Sequence, residues 1–310
     1  MKILLIILFV LLALVLVVLG GYLLTGWALY RFSLSRQGKL KRGIEIKNKC
    51  ELEKRPEIEK YFNKEDFKKL TITSTDDLKL YGFYKDSNKD RLAILVHGYG
   101  GDHTDMYSIA QLFEERGYDI LSFDQRAHGE SEGEGLSMGL YEHRDLLLWI
   151  DKMLELKPNY KIVLFGISMG ASTVCMALGE NLPNNVICGI EDCGYDNANN
   201  EFIHVYFKSK IKSRFIYNIF YNYTKNTKGL DLKKVDACDS LRKSKLPMLF
   251  IHGDLDDFVP TKMVYNLYNC LPEQRRQLYI AKDAKHTRSI DVNLTEYKRQ
   301  LFTYLDKYYM

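Results

Sequence analysis

Gly166-Ile167-Ser168-Met169-Gly170 constrains this chain more than any other stretch. It follows Lys161-Ile162-Val163-Leu164-Phe165, an apolar run that reads as a buried strand. It precedes Ala171-Ser172-Thr173-Val174-Cys175-Met176-Ala177-Leu178, which reads as a helix. A G-x-S-x-G between strand and helix is a turn so sharp that its serine takes a strained backbone conformation. Glycine is needed on both sides because a Cβ there would collide with the neighbouring strand or helix. The hydroxyl then stands at the carboxyl end of a sheet, against a helix N-terminus that favours negative charge. Ser168 is therefore a candidate nucleophile. The five-residue pattern alone is weak, so the argument turns on what surrounds it.

Hydrophobic residues make up 46% of the 310 positions, enough for a sizeable core. Leu92-Ala93-Ile94-Leu95-Val96 is continuously apolar, as a strand covered on both faces requires. Tyr118 to Phe123, Lys161 to Phe165, Val186 to Ile190, and Met248 to Ile251 share that character. Thr71 to Ser74 and Leu78 to Tyr84 instead alternate, as half-buried antiparallel strands do. Helical patterns near 104–117, 139–156, 169–180, 261–271 and 294–309 fall between or after the runs. Strands alternating with helices predict an α/β domain with a mostly parallel sheet. The alternation lapses between about residues 195 and 236, where aromatics such as Phe202, Tyr206 and Phe220 are interleaved with lysines. We expect a helical lid there, with those three aromatics lining an apolar acyl pocket.

From Ile3 to Leu24 the chain carries no charge, and about 20 apolar residues suffice to span a bilayer as a helix. The run is long for a cleaved signal peptide and lacks a clean small-x-small site, so a membrane anchor is expected. Trp27 and Tyr30 are placed at the interface, as aromatic belt residues are. Arg31, Arg36, Lys39, Lys41 and Arg42 follow the span, against only Lys2 and the amino terminus before it. The positive-inside rule then puts the large domain in the cytoplasm, with the extracellular face as the alternative. The expected division is an anchor at 1–30, a membrane-proximal stalk at 31–68 and a folded domain at 69–310. A net charge of +4 without a dense basic block argues against nucleic acid as a partner. The six cysteines are scattered with no C-x-x-C pair, which excludes a cysteine zinc motif and leans toward a reducing compartment.

A serine hydroxyl needs a base to take its proton and an acid to orient that base. Downstream of Ser168 the histidines are His204, His252 and His286. His204 lies in the expected lid and His252 at a strand end, whereas His286 follows the last strand in a loop at the carboxyl edge. His286 is the expected base. The acid should follow the seventh strand, where Asp254, Asp256 and Asp257 compete. Asp254 suits the turn beside Gly253 and Asp257 a solvated or capping place, leaving Asp256 as the expected acid. An oxyanion would need two backbone N–H donors, expected from Met169 and from Tyr99 in the loop Gly98-Tyr99-Gly100-Gly101. No phosphate-binding glycine motif follows that loop.

His97-Gly98-Tyr99-Gly100, the Asp124 to Ser131 loop, Gly166 to Gly170 and the His252 to Pro260 loop occur in order. Together they resemble the α/β-hydrolase fold superfamily. Within it they are similar to bacterial membrane-anchored or cytosolic hydrolases related to acyl-CoA thioesterase/acyltransferase and prolyl-oligopeptidase-like enzymes. The resemblance covers roughly residues 70–310. It implies an eight-stranded sheet flanked by helices, a Ser168–Asp256–His286 triad, and neither metal nor organic cofactor. The expected chemistry is cleavage of an ester or thioester through an acyl-enzyme on Ser168. A serine peptidase acting on a short peptide and a non-catalytic membrane-anchored scaffold are the alternatives. Ala127 stands where many relatives carry glycine.

Overall fold

In a computed structural model of the chain, residues 1–36, 60–61, 66–208 and 212–308 are described. Most of the expected stalk, and Lys210, lie outside them. Eight strands form one sheet in the order β1-β2-β4-β3-β5-β6-β7-β8. They are β1 Phe67–Thr73, β2 Lys79–Lys85, β3 Arg91–Val96, β4 Asp119–Phe123, β5 Lys161–Ile167, β6 Val186–Asp192, β7 Met248–Gly253 and β8 Arg276–Ala281. Pairing is antiparallel for β1–β2 and β2–β4 and parallel from β4 through to β8.

The continuous apolar runs are explained by cover on both faces. Leu92, Ile94 and Val96 of β3 join a core containing Trp149, while Ala93 and Leu95 join a second core containing Phe113 and Tyr304. Trp149 belongs to α3 (Glu142–Leu156), which with α4 (Met169–Ala177) covers the first face. Phe113 and Tyr304 belong to α2 (Tyr107–Glu115) and α10 (Leu294–Lys307) on the other face. Each Leu, Ile or Val fully buried this way contributes about 1.5–3 kcal/mol. Between β6 and β7 the chain forms α5 (Ala198–Lys208), α6 (Arg214–Lys228) and the short α7 (Ala237–Leu241). After β7 come α8 (Lys262–Tyr268) and, before α10, α9 (Ser289–Val292).

The apolar N-terminus is a single helix, α1 (Lys2–Leu34), long and apolar enough to cross a membrane. It does not stop at residue 30. Residues 1–21 are exposed throughout, but from Tyr22 onward one face is covered by the body of the protein. Gly26 is buried against Tyr223 of α6, and Leu34 is fully buried in the first core. The segment then continues as a strand-like contact. Leu136 N–H donates to Leu34 O (3.0 Å), Arg36 N–H donates to Glu134 O (2.9 Å), and Ser35 bridges Gly135. Arg36, one of the flanking cations, donates to the carbonyls of Ser131 and Gly129 at 2.6 Å each. Trp27 faces outward, whereas Tyr30 turns toward the body and packs on Tyr223 with ring centroids 6.2 Å apart.

The cysteines among the described residues fall into two groups. Cys175 and Cys188 are buried thiols, as is Cys193. Cys238 and Cys270, however, are joined in a disulfide with Cα atoms 5.7 Å apart. That corrects the reading of the cysteines as scattered thiols of a reducing compartment. The pair is 32 residues apart, and only the packing of α7 beside the end of α8 brings it together.

Arg126, in the loop after β4, is a buried cation held by two carboxylates. It donates to both oxygens of the buried Asp145 (2.7 and 2.8 Å) and to both oxygens of Asp76 (3.0 Å each). Removing one partner of a buried pair strands the other, at a cost of about 3–5 kcal/mol. Arg126→Met is expected to lose stability on that scale in urea unfolding. Arg126→Met with Asp145→Leu should recover much of the loss, because no uncompensated charge remains in the core.

Candidate active site

Ser168 sits between β5 and α4 with φ 54° and ψ −118°, a region that L residues rarely adopt. The surrounding backbone holds it there. Ser168 N–H donates to Asp192 O (2.8 Å), and Ser168 O accepts from Ser172 N–H (3.1 Å). A Cβ on Gly166 would collide with the backbone of Gly170, and one on Gly170 with the carbonyls of Val96 and His97. The helix can therefore start directly beside β3 and β5, with the serine at the carboxyl edge.

The structure brings Ser168, His286 and Asp256 together. Ser168 Oγ lies 2.9 Å from His286 Nε2, and His286 Nδ1 lies 2.7 Å from Asp256 Oδ2. Nδ1–H donating to the carboxylate leaves the Nε2 lone pair facing the serine hydroxyl. The loop after β8 reaches this position through left-handed residues on either side of His286, Asp283 (φ 61°) and Thr287 (φ 60°). Asp256, in the turn after β7, is almost fully buried, and its Oδ1 accepts from the N–H groups of Phe258 (3.0 Å) and Val259 (2.9 Å). The Phe258 ring covers His286 with centroids 4.9 Å apart.

His252 is closer to this acid than its sequence position announces. Its Nε2 lies 2.9 Å from Val259 O and 3.2 Å from Asp256 Oδ2, so the carboxylate stands between two imidazoles. Burial pushes the Asp256 carboxyl up, but the hydrogen bonds from His252 and His286 outweigh it and hold it at about 2. Asp254 and Asp257 are exposed; Asp257 binds Lys208 Nζ through its side chain at 2.8 Å.

The glycine loop after β3 runs alongside the serine: a Cβ on Gly98 would lie 3.3 Å from Ser168 Cβ. Met169 is the first residue of α4, so its N–H belongs to the group without a helical acceptor. Two histidines brace the loop. His128 Nε2 accepts from Gly100 N–H (3.1 Å), and His97 Nε2 accepts from Gln125 N–H (3.0 Å). Both rings are therefore neutral with the proton on Nδ1, which faces the carbonyls of Arg126 and Gly98 respectively. The Tyr99 hydroxyl donates to Ser33 O at the end of α1 (2.6 Å). The sequence carried no sign of this contact with α1.

Phe202 and Phe220 pack together with centroids 5.3 Å apart, and Tyr206 packs on Tyr217 at 5.6 Å. All four lie against the first core. α5 is tied to the acid loop: His204 Nε2 donates to Asp257 O (3.0 Å). Glu201 on the same helix was not anticipated. It is buried, neither carboxylate oxygen has a hydrogen-bond partner, and burial with the nearby Asp256 raises it to about 8. Among the described residues, two groups of side chains converge closely enough to hold a metal: Cys193 with Asp256 and His286, and Asp102 with His103 and Asp124. In the first, burial pushes the Cys193 thiol well up, so it is a poor thiolate ligand. In the second, Asp124 is already occupied by His103 and the Glu130 N–H.

The family model for the alpha/beta hydrolase fold matches residues 93–215, from β3 into α6. The chain has the α/β-hydrolase fold. The Bacillus subtilis (strain 168) protein YqkD is 28% identical over 219 residues, 69% of this chain and 70% of that one. Among solved structures, the Pyrococcus furiosus esterase Pf2001 superposes with a TM-score of 0.65 at 26% identity, covering 78% of this chain and 92% of the esterase. The Pyrococcus horikoshii acylaminoacyl peptidase has the same fold, with a TM-score of 0.58 at 22% identity over 78% of this chain and 41% of the peptidase. Fold and neighbours together make this α/β-hydrolase protein a hydrolase.

Folding lowers the Asp256 pKa from 3.8 to about 2, so its stabilisation is complete above pH 4 and is lost as the pH falls through about 2. The shift corresponds to about 2 kcal/mol. Asp256→Asn is expected to cost roughly that much at neutral pH in urea unfolding. The gap between wild type and variant should close as both are taken toward pH 2.

Proposed function

We propose that this chain is a membrane-anchored serine hydrolase that cleaves a carboxylic ester or thioester through an acyl-enzyme on Ser168. The observation that carries the reading is the hydrogen-bonded line from Ser168 Oγ through His286 to Asp256, at a serine with φ 54°. His286 Nε2 takes the hydroxyl proton as Oγ attacks the acyl carbon. The carbonyl oxygen gains the negative charge and is met by the N–H groups of Tyr99 and Met169, each such donor being worth about 3–4 kcal/mol. As the tetrahedral intermediate collapses, the bond to the leaving oxygen or sulfur breaks and His286 returns the proton to it. Water then attacks the acyl-serine, with His286 again as base, releasing the carboxylic acid and restoring the hydroxyl. Asp256 keeps His286 in the Nδ1–H tautomer throughout. No step uses a metal or organic cofactor.

The esterase Pf2001 covers most of this chain and supports ester over amide cleavage. A peptide substrate is the second reading, favoured by the acylaminoacyl peptidase, although this chain matches only 41% of that protein. A scaffold without activity has little to recommend it, since it would have no use for a strained serine aligned with a base. Phe202, Tyr206 and Phe220 stand as the proposed acyl-binding aromatics, with α5 and α6 as the lid. The cations after α1 favour a cytoplasmic body, whereas the Cys238–Cys270 disulfide favours an oxidising compartment and so an extracellular body.

A fluorophosphonate probe should label the wild-type chain and not Ser168→Ala; equal labelling of both would refute the nucleophile. Asp256→Asn should lower kcat about 10⁴-fold by inverting the histidine tautomer. In an ester series the rate should rise from acetyl to medium acyl chains, and a flat series would count against the aromatic pocket. For topology, protease added to intact cells should leave the body undigested. Alkylation of Cys238 and Cys270 in the same cells, without reductant, should be complete for a cytoplasmic body and absent for an extracellular one.

A further inference from the structure

The loop after β3, which the proposed mechanism asks for one oxyanion donor, is a tight turn. Gly101 N–H donates to Gly98 O (3.2 Å), and Gly98 lies against Ser168. Tyr99 and Gly100 are the central residues of that turn, and each is tied to a distant part of the chain. Gly100 N–H donates to His128 Nε2 (3.1 Å), and the Tyr99 hydroxyl donates to Ser33 O (2.6 Å). The turn has glycine on both sides of Tyr99, with Gly100 at φ 75°, so its own backbone resists displacement weakly. Its position depends on these outside ties.

Both ties lead to α1. Ser33 belongs to the last turn of that helix. His128 belongs to the loop after β4, where Arg36 donates to Gly129 O through Nη2 and to Ser131 O through Nη1. Arg36 is fixed in turn, because its N–H donates to Glu134 O while Leu136 N–H donates to Leu34 O. A Cβ on Gly135 would run into the Tyr30 hydroxyl, so this seam is closely fitted. The seating also meets a need of the helix, whose last four carbonyls have no helical N–H to accept from. Ser33 O and Leu34 O accept from Tyr99 and Leu136, and Arg31 O accepts from the Ser35 hydroxyl (2.6 Å).

A tether needs none of these contacts. A backbone donor serves an oxyanion only from about 2.7–3.1 Å away. A misplacement of about 1 Å can cost on the order of a hundredfold in rate.

We propose that Ser33 and Arg36, at the end of α1, are positioning residues for the oxyanion site: they hold the Tyr99 N–H where the tetrahedral intermediate requires it. The seated apolar helix is then part of the catalytic apparatus. This rests on the serine-hydrolase reading above, with Tyr99 as a donor, and deepens it. Neither residue touches the substrate; Ser33 acts through Tyr99, and Arg36 through His128 and Gly100.

The test uses the full chain in detergent micelles with p-nitrophenyl butyrate, and intact sites are counted by fluorophosphonate labelling taken to completion. A trifluoromethyl ketone is the second probe. Ser168 Oγ adds to its carbonyl carbon, the hydroxyl proton passes to His286, and the carbonyl oxygen becomes the oxyanion. Tyr99→Phe keeps the backbone N–H and loses the tie to Ser33 O, while Arg36→Met releases the His128 loop. Each variant should lower kcat per labelled site about tenfold. KM should stay within about twofold, and ketone affinity should fall by the same factor as kcat/KM. Arg36→Lys, with one donor group still able to reach a carbonyl, should recover part of the loss. Fewer labelled sites with unchanged kcat per site and unchanged ketone affinity would mark a merely structural role. That result, or a loss confined to KM, would overturn the inference and leave the serine chemistry standing. Labelling or hydrolysis undiminished in Ser168→Ala would instead remove the underlying reading, and this proposal with it. Should Arg36→Met fail to fold, Tyr99→Phe decides alone.

Discussion

The close seating of α4 on the β3–β5 pair, possible only because Gly166 and Gly170 carry no Cβ, fixes where every polar group at the carboxyl edge can stand. It leaves Ser168 in a left-handed conformation that the Asp192 and Ser172 backbone contacts maintain. Conformations of this kind cost about 1–3 kcal/mol and persist only where the surroundings over-determine them. Here the surroundings are two strands, a helix and the glycine loop after β3. The loops after β7 and β8 then need only reach one fixed point, and the imidazole of His286 meets the serine there.

The sheet was legible because its central strands are buried on both faces, and burial on both faces leaves long apolar runs such as Leu92 to Val96 in the sequence. The alternating pattern of Leu78 to Tyr84 likewise announced a strand with one wet face. For the site, chain order was enough to nominate Ser168, Asp256 and His286, because each follows a recognisable strand. What could not be read was contact between distant segments that have no local code. Gly26 and Tyr223 are far apart in sequence and meet only when α1 lies along α6. Cys238 and Cys270 look like unrelated thiols until α7 packs beside α8. The role of His252 beside Asp256 was hidden because a strand-end histidine can equally be a packing residue. Glu201 gave no sign of its burial, since one carboxylate in an amphipathic helix usually faces water.

An apolar helix followed by a charged segment is ordinarily read as an anchor on a flexible leash. The packing of Tyr22 to Arg36 contradicts a leash that begins at residue 31. Leu34 is part of the main core, and Arg36 satisfies two carbonyls of the same loop that holds Arg126 and His128. Ala127 in that loop has φ 60°, a backbone conformation that glycine takes more readily than alanine, so the loop gains from external support. The apolar helix α1, the Arg126 network and the brace on the glycine loop thus form one continuous polar and apolar assembly.

Asp256 receives Phe258 N–H, Val259 N–H and His252 in addition to His286. Three of these four contacts come from its own strand end and turn. A histidine that passes a proton from serine to leaving group has to tilt between the two. Around such an axis the acid is a stationary pivot: its orientation survives if His286 swings away entirely. In the proposed mechanism the imidazole would therefore have a single berth to return to, with the resting geometry stored in the β7 turn rather than in the serine.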